Sequence, residues 1–264
     1  MAAATPAPTG AVNTAKPFNP NKPAASLGEV RRFLEANAGA IRKVAVASMS
    51  PDRMVAIMAQ AVSRNPLLAK CTPMSMLNCL KQGAELGLEV AGQLQEFHPI
   101  PYWNSDLGAY EAQGVPGYPG LVKLVLQSKE VGRVEARVVY KGDTFDYELG
   151  DTPFLRHKPS LDHLGEDRPD EDIAAFYAIA FYHDGSKTFE VMGKGAIDKL
   201  KDRALAKKKN KDAGPWATDY AQMGRKSVLR RLCKVLPKSP ALAKALALQE
   251  AAEAGDFTGR VLDT

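Results

Sequence analysis

The spacing of apolar residues divides the chain into an N-terminal helical part, a β-rich middle and a second helical part. Met54, Met58 and Val62 recur at helical spacing and form one apolar stripe. The stripe ends at Asn65-Pro66, a pair that rarely continues a helix. Three helix starts are predicted from capping side chains followed by an acidic residue or a proline: Ser26 with Glu29, Ser50-Pro51 and Thr72-Pro73.

Between about residues 98 and 192, alternation of apolar and polar residues replaces helical spacing. Residues 134–140 alternate as a half-buried strand does. Residues 173–182 are apolar on both faces, which predicts a central strand, and Asp184-Gly185 predicts a hairpin turn onto 188–192. The other segments are predicted as an extended stretch at 98–102, a glycine-rich link at 114–120, a helical stretch at 121–127, a turn at 141–143 into 145–149, and a loop at 165–172.

Helical patterns return from Lys194, and Ser239-Pro240 predicts the start of a last helix rich in Ala and Leu. N-terminal helices, a central antiparallel sheet and C-terminal basic helices together describe an α+β fold. Residues 1–25 contain little to bury and are predicted as a disordered tail. We expect residues 26–238 to form the core domain and residues 239–264 to form a C-terminal helix with a loose end.

One predicted helix, over residues 219–238, carries an unusual number of cations. At 100° per residue its apolar face is predicted to hold Val228, Leu229, Leu232, Val235 and Leu236, and its polar face Lys226, Arg230, Arg231 and Lys234. Arg225 points along the apolar face, where an unpaired charge is costly. We expect Arg225 to lie between this helix and the sheet, where it could hold a phosphate, brace an acidic partner or form an internal salt bridge.

Charge distribution changes the picture from a generic α+β domain to one with a polyanionic partner. The 264-residue chain has a net charge of +5, but residues 194–238 hold 14 Lys or Arg against four acids, which leaves −5 for the rest. A charge gathered in one segment favours nucleic acid over a merely solvated or membrane-surface helix. The chain has no apolar run of ~20 residues and no secretory signal, and its three cysteines lack metal-site spacing, so we expect a cytoplasmic protein with reduced thiols.

The residues that often carry catalysis or bind cofactors form no recognisable constellation. Residues 224–227, Gly-Arg-Lys-Ser, end like a phosphate-binding loop, but the upstream glycine is missing. His157 and His163, beside Asp162, are interpreted as ordinary loop histidines rather than metal ligands. Cys71 and Cys79 fit packing better than nucleophilic chemistry. The acidic stretch 165–172 is interpreted as a solvated connector rather than a nuclease site.

Several stretches resemble the RecT family of phage and prophage single-strand annealing proteins, in the family's order and at similar spacing. The resemblance extends from about Glu29 to Leu236, with a weaker match near Leu262. Its motifs are MSPDRMVAIMAQAVSRNPLLAKCTPMSML, GAELGLEV, IPY, GYPGLVKL, VEARVVYKGDTFDYELG, HKP, FYAIA, FEVM, GPW with Tyr220 four residues on, and RKSVLRRLCKVLP. Four sites depart from the family pattern. Pro119 replaces a basic residue and Lys123 an acidic one, so a cation has moved by one turn or this local contact differs. Gly224 replaces an alanine, and Phe97-His98-Pro99 stands where the family tends to have His-Ala-Tyr.

The resemblance implies that the protein binds single-stranded DNA and pairs it with a complementary strand during recombination, without ATP. It also implies a homo-oligomer, as a ring or helical filament, that works with a 5′→3′ exonuclease and a host single-strand-binding protein in the bacterial cytoplasm. No membrane, catalytic residue, metal or nucleotide is expected, and Mg²⁺ is expected at most to modulate DNA binding.

Candidate DNA contacts follow from the residues and these motifs. Lys226, Arg230 and Lys234, at i, i+4 and i+8, form a stripe suited to one DNA backbone, with Arg231 on the same polar face. For other candidates two interpretations stay open. Lys207, Lys208 and Lys209 form either an element that closes over DNA or a solvated run of charges. Trp216 either stacks on a base or packs in the core, and Tyr118 either lies close to a DNA strand or is an ordinary turn aromatic. Lys123 either is the displaced cation or has no such role.

Three alternative functions are distinguishable. A sequence-specific duplex binder would use the 219–236 helix as a recognition helix. A nuclease would use the acidic loop and require Mg²⁺. A structural phage protein would bind no nucleic acid.

Overall fold

The computed structural model describes residues 18–163, 168–206 and 214–254, and their elements confirm the predicted α+β class. The α-helices in these ranges are α1 (Leu27–Ala36), α2 (Ala38–Val44), α3 (Pro51–Arg64), α4 (Pro73–Leu86), α5 (Tyr118–Leu126), α6 (Lys194–Leu205), α7 (Pro215–Thr218), α8 (Tyr220–Cys233) and α9 (Pro240–Ala254). The strands are β1 (Phe97–Asn104), β2 (Ala109–Pro116), β3 (Val131–Tyr140), β4 (Thr144–Glu148), β5 (Phe154–Lys158), β6 (Ile173–Tyr182) and β7 (Lys187–Gly193).

The three predicted helix starts are confirmed. The side chains of Ser26, Ser50 and Thr72 each accept a hydrogen bond from the N–H three residues later, at the starts of α1, α3 and α4. Gly87 ends α4 in the left-handed region, at φ +68°. Helix α2 was not predicted, because Ile41 is its only fully buried residue and its apolar pattern is weak.

The strands pair in three antiparallel sheets, with the orders β1-β2, β3-β6-β7 and β4-β5. Strand β6 lies between β3 and β7, which confirms the predicted central strand and the hairpin that follows it. Helix α5 begins earlier than predicted, inside the glycine-rich link. The start of α5 packs directly against the backbone of residues 95 and 96. A Cβ on Gly117 would lie 2.1 Å from the Gln95 carbonyl oxygen, and a Cβ on Gly120 would lie 2.2 Å from the Glu96 carbonyl oxygen.

The β3-β6-β7 sheet is covered on both faces. One face packs against α8 in the main core and contributes Ala136, Phe176, Ala178 and Met192. The other face carries a smaller buried cluster, Val139, Tyr177, Ile179 and Phe189, against which Phe145 and Leu155 of the β4-β5 hairpin pack. The sheet thus forms a fixed support for α8.

A buried carboxylate attaches the β4-β5 hairpin to the sheet. The Asp143 side chain is 1% exposed and accepts hydrogen bonds from the backbone N–H groups of Tyr140 and Ser160, from the Arg168 guanidinium and from the His157 ring. Burial opposes the negative charge, but these hydrogen bonds outweigh it and lower the pKa of Asp143 to about 2. His157 lies on β5, a strand that was not predicted, and its other ring nitrogen is 3.3 Å from the Tyr177 hydroxyl.

The predicted apolar face of the 219–238 helix is confirmed except at one position. Val228, Leu229, Leu232 and Leu236 are buried, but Val235 is 58% exposed. The prediction for Val235 is wrong because α8 ends at Cys233, so helical spacing no longer applies beyond that residue.

Helix α9 packs on the core, against β2, α5 and α4. The buried Gln249 side chain donates to the Pro116 carbonyl at 2.8 Å, and Lys244 pairs with Glu85 at 2.6 Å. At the other end of the chain, the Met74 N–H donates to the Pro20 carbonyl. Residues 1–17 and 255–264, which contain most of the predicted tail and loose end, lie outside the described residues.

Candidate nucleic-acid interface

Helix α8 lies close to the sheet because it has a glycine where it crosses Phe176. Phe176 is fully buried, and a Cβ on Gly224 would lie 2.3 Å from two of its ring carbons. Glycine costs up to ~1 kcal/mol in helix propensity relative to alanine. The contact explains why this chain has glycine here, since a side chain would push α8 away from the sheet. Arg225 and Lys226, which follow directly, are therefore held at a fixed height over the strands.

Arg225 lies between α8 and strand β3 of the sheet, as the sequence predicts, and it also lies beside the start of α5. Its Nε donates to the Ala136 carbonyl of β3 at 2.9 Å, and one terminal nitrogen donates to the Gln222 side chain at 3.0 Å. Among the described residues Arg225 forms no ion pair, so the two alternatives with a carboxylate partner are not found there, and the third, a bound phosphate, stays open. Because a guanidinium has five N–H donors, these two bonds orient the group and leave donors for an anion.

Tyr118, the first residue of α5, completes this corner of the molecule. Its half-buried ring centre lies 5.4 Å from the Arg225 guanidinium carbon, within cation–π range. Beside Tyr118 is an open cleft of about 560 Å³ along the outer side of α5, which we call the α5 cleft. Its other lining residues are Glu96, Pro119, Val122, Lys123, Leu126 and Gln127.

The predicted stripe of Lys226, Arg230 and Lys234 lies outside the buried face of α8. Lys226 is close to His98 of β1, where burial and the lysine charge both lower the pKa of the imidazole. Lys234 pairs with Glu250 of α9 at 2.5 Å. This hydrogen bond lowers the pKa of Glu250, and the charges of Lys234 and Arg230 contribute. One end of the stripe is therefore partly neutralised by α9.

Arg231 lies on a different flank of α8 from Arg225. Its Nε is 2.8 Å from a carboxylate oxygen of Glu190 on β7, whereas Arg225 reaches β3 at the opposite edge of the sheet. The structure therefore brings Arg225 and Tyr118 together, with Lys226 next to Arg225 in sequence and close to His98, and places Arg231 apart from them.

Lys123 is engaged inside the protein. Its ammonium lies 2.9 Å from a carboxylate oxygen of Glu96, whose side chain is 9% exposed. The same carboxylate oxygen accepts the Glu89 backbone N–H. Lys123 thus compensates a buried negative charge.

Trp216 packs in the core rather than presenting its ring to solvent, because it is 7% exposed and lies 6.2 Å from the Tyr220 ring. Two cations that the sequence reasoning missed, Lys194 and Lys201 of α6, lie 4.4 and 5.4 Å from the centre of the Tyr220 ring. The Tyr220 hydroxyl donates to Asp198 at 2.6 Å. The i, i+4, i+7 spacing of these three α6 residues could have identified them as one helix face.

Lys207, Lys208 and Lys209 lie outside the described residues. Their assignment to an element that closes over DNA stays a prediction.

The described residues contain little that suggests catalysis or metal binding. Within 18–163, 168–206 and 214–254, no group of three or more His, Cys, Asp or Glu is placed to hold a metal ion. Burial raises the pKa of Cys71 and Cys233 to about 12 and also raises that of Cys79, so these thiols are poor nucleophiles. In the same part of the chain, no helix has the length and apolar character needed to cross a membrane.

Comparison with known proteins identifies the family. A family model described as the RecT family matches residues 52–259. Protein RecT of Escherichia coli (strain K12) is 33% identical over 204 residues, which cover 76% of this chain and 72% of that protein. The matched range includes α8, the α5 cleft and the central sheet. This chain therefore belongs to the RecT family, as its sequence motifs predict.

Proposed function

We propose that this protein binds single-stranded DNA and anneals complementary strands in homologous recombination, without ATP, in a phage or prophage system of a bacterial cell. The observation that carries the proposal is the Arg225 guanidinium, held by the Ala136 carbonyl beside the Tyr118 ring, in a member of the RecT family. We assign the DNA-binding surface to this corner and to the stripe that continues along α8.

Annealing requires a surface that neutralises phosphates and leaves base edges free. Two complementary strands repel each other through their backbones, and Lys and Arg side chains reduce this repulsion without reading sequence. Lys226 and Arg230 lie about one turn apart on α8, and Lys234 directly follows the helix, so a backbone can contact successive cations. The partial exposure of these side chains is consistent with such contacts.

Arg225 is the best-placed phosphate ligand of this surface. The Ala136 carbonyl and the Gln222 side chain orient the guanidinium before DNA arrives, so little side-chain entropy is lost on binding. The Tyr118 ring, next to this guanidinium, is available to stack on a base. We assign Trp216 and Lys123 supporting roles, because their contacts within the protein already engage them.

The remaining parts of the proposal concern partners. We propose a homo-oligomer, as a ring or helical filament, and cooperation with a 5′→3′ exonuclease and a host single-strand-binding protein. Neither a nucleotide nor a catalytic residue has a role in this mechanism, and Mg²⁺ acts only by modulating the affinity for DNA.

A sequence-specific duplex binder is the weaker interpretation of α8. A recognition helix must present one side along its length to the major groove. Helix α8 buries Val228, Leu229 and Leu232 completely, and α9 is attached to its flank through Lys234 and Glu250. The accessible side of α8 therefore lies beside α9, which suits a flexible single strand better than a rigid duplex.

The direct test uses two complementary, fluorescently labelled oligonucleotides without nucleotide. The proposal predicts that the protein accelerates pairing and that an unrelated single strand competes better than any duplex. Preference for one duplex sequence would support the rival interpretation, and Mg²⁺-dependent cleavage would support a nuclease. Failure to accelerate pairing across a range of salt concentrations would refute the proposal.

A further inference from the structure

The hairpin of β1 and β2 ends in large apolar side chains with no cover in the described structure. Trp103 is 56% exposed and Leu107 is 55% exposed, and we call these two residues the knob. The Trp103 ring meets the Tyr110 ring edge-on at 5.2 Å, so one side of the indole is fixed while the other faces solvent. A single exposed apolar residue is normal on a protein surface, but two large ones on the same hairpin tip form a patch that indicates a binding site.

The α5 cleft matches the knob in its apolar lining and its size. Helix α5 turns Leu121, Leu124 and Val125 into the core, yet its outer side is also apolar, with Pro119, Val122 and Leu126 along the cleft. A volume of about 560 Å³ is large enough for an indole and a leucine side chain together. An apolar knob and an apolar cleft on the same chain allow one copy to bind the next.

Charge agrees with this pairing. Asp106 is exposed beside Leu107, and its carboxylate forms no ion pair within residues 18–163, 168–206 and 214–254. Lys123 lines the α5 cleft and keeps 37% of its side chain exposed while it pairs with Glu96. A knob that enters the cleft can place its acidic neighbour near this ammonium.

The backbone of the hairpin favours a side-chain contact over strand addition. Pro99 and Pro101 of β1 lack N–H groups, as is typical of an edge strand that does not accept a further strand. We therefore propose that the knob of one copy, Trp103 and Leu107, inserts into the α5 cleft of a second copy of this chain. The inference rests on the proposed function, because it names the surface that joins neighbouring copies on DNA.

Such a contact has a defined consequence for assembly. Knob and cleft are different surfaces, so the contact is head-to-tail and repeats into a ring or an open filament. A tryptophan offers up to ~250 Å² in all, so the exposed part of Trp103 contributes about 140 Å², well below the ~800 Å² per partner of a stable interface. Free copies therefore associate weakly, and copies held on one DNA strand at high effective concentration associate strongly.

The test uses two variants that each remove one half of the contact. Trp103→Ala with Leu107→Ser removes the knob and keeps the cleft, whereas Leu126→Glu places a charge in the cleft and keeps the knob. Leu149→Ser, at a position 68% exposed on the β4-β5 turn, is the matched control. Sedimentation on a long oligonucleotide should show extended assemblies for the unchanged protein and the control, and single bound copies for each variant.

Mixing the two variants gives the sharper result. One intact knob and one intact cleft remain, so the mixture should form adjacent pairs on DNA and nothing longer. Wild-type-like assembly by either variant, or no pairs in the mixture, would overturn the inference. If the proposed function itself were wrong, the unchanged protein would not bind DNA, a result that is distinct from the outcomes above. Binding of an oligonucleotide short enough for one copy should stay within about twofold in both variants, and a loss in both would also overturn the inference.

Discussion

Replacing Gly224 with alanine tests how closely α8 must lie on the sheet. The new Cβ would lie 2.3 Å from Cε1 and Cζ of Phe176, more than 1 Å inside normal contact distance. Phe176 is fully buried in the main core, so its ring cannot move into solvent. The substitution therefore forces α8 away from β6 or displaces the ring inside a packed core.

Two opposing effects decide the sign of the change. Alanine favours the helix by up to ~1 kcal/mol, whereas overpacking a close-packed core costs about 1–3 kcal/mol. We expect Gly224→Ala to lower the free energy of unfolding by about 1–2 kcal/mol. For a chain of this size the melting temperature should fall by roughly 2–8 °C. Single-strand binding should also weaken, because the Arg225 bond to the Ala136 carbonyl depends on the height of α8.

The assay is thermal unfolding, with Gly39→Ala as the control. Gly39 lies in α2, and a Cβ there would meet nothing within 4 Å, so this variant should be as stable as the wild type or slightly more stable. In a Phe176→Leu background, Gly224→Ala should lower the free energy of unfolding by less, because the ring that meets the new Cβ is gone. A double-mutant cycle measures this difference. A Gly224→Ala protein that melts at or above the wild-type temperature would show that α8 can hold a side chain against Phe176 without cost.

Three further predictions concern charges whose partners the structure identifies. Asp143→Asn should lower the free energy of unfolding by about 2 kcal/mol at neutral pH, measured by denaturant unfolding across pH. Because the folded-state pKa is depressed to about 2, the stabilisation is complete above about pH 4 and is lost as pH falls towards 2, so wild type and variant should converge in acid; a constant difference down to pH 2 would contradict this. Glu250→Gln should raise single-strand affinity several-fold at low salt, because it removes the negative charge beside Lys234; unchanged affinity in an anisotropy titration would exclude this end of the stripe. Lys123→Met should lower stability by about 1–3 kcal/mol, because it leaves the Glu96 carboxylate buried without its cation, yet leave binding of short oligonucleotides unchanged; lost binding by a folded variant would make Lys123 a DNA contact.

The local signals in the sequence predicted the elements well. Thr72 and Ser50 have the geometry that their capping pattern indicates, and β6 is the central strand that its two apolar faces indicate. These features depend on neighbours within a few residues, so the chain itself carries the information. Val235 shows where such reasoning ends, because periodicity cannot say that α8 stops two residues earlier.

Partners distant in sequence could not be predicted. Arg225 was identified as anomalous from its position on the apolar face, but its acceptor, the Ala136 carbonyl, is 89 residues away and is a backbone group with no sequence signature. Likewise, no sequence pattern indicates that Lys123 pairs with Glu96 or that Arg231 pairs with Glu190. Tertiary packing determines which cations of a basic segment share a surface.

In the proposed mechanism, Arg225 and Lys226 neutralise DNA backbones so that strands pair without a nucleotide. The decisive experiment measures the nucleotide-free annealing rate, with single-strand affinity at several salt concentrations, for the Arg225→Ala, Lys226→Ala double variant. The matched control is the Arg42→Ala, Lys43→Ala variant, which removes two exposed cations that are adjacent in sequence on α2.

We expect the first variant to fold normally, to anneal far more slowly and to lose about 1.4 from the slope of log affinity against log salt, at ~0.7 per phosphate contact, while the control behaves as the wild type. Equal annealing rates and equal slopes for the folded double variant and the wild type would show that these two cations do not carry the annealing activity.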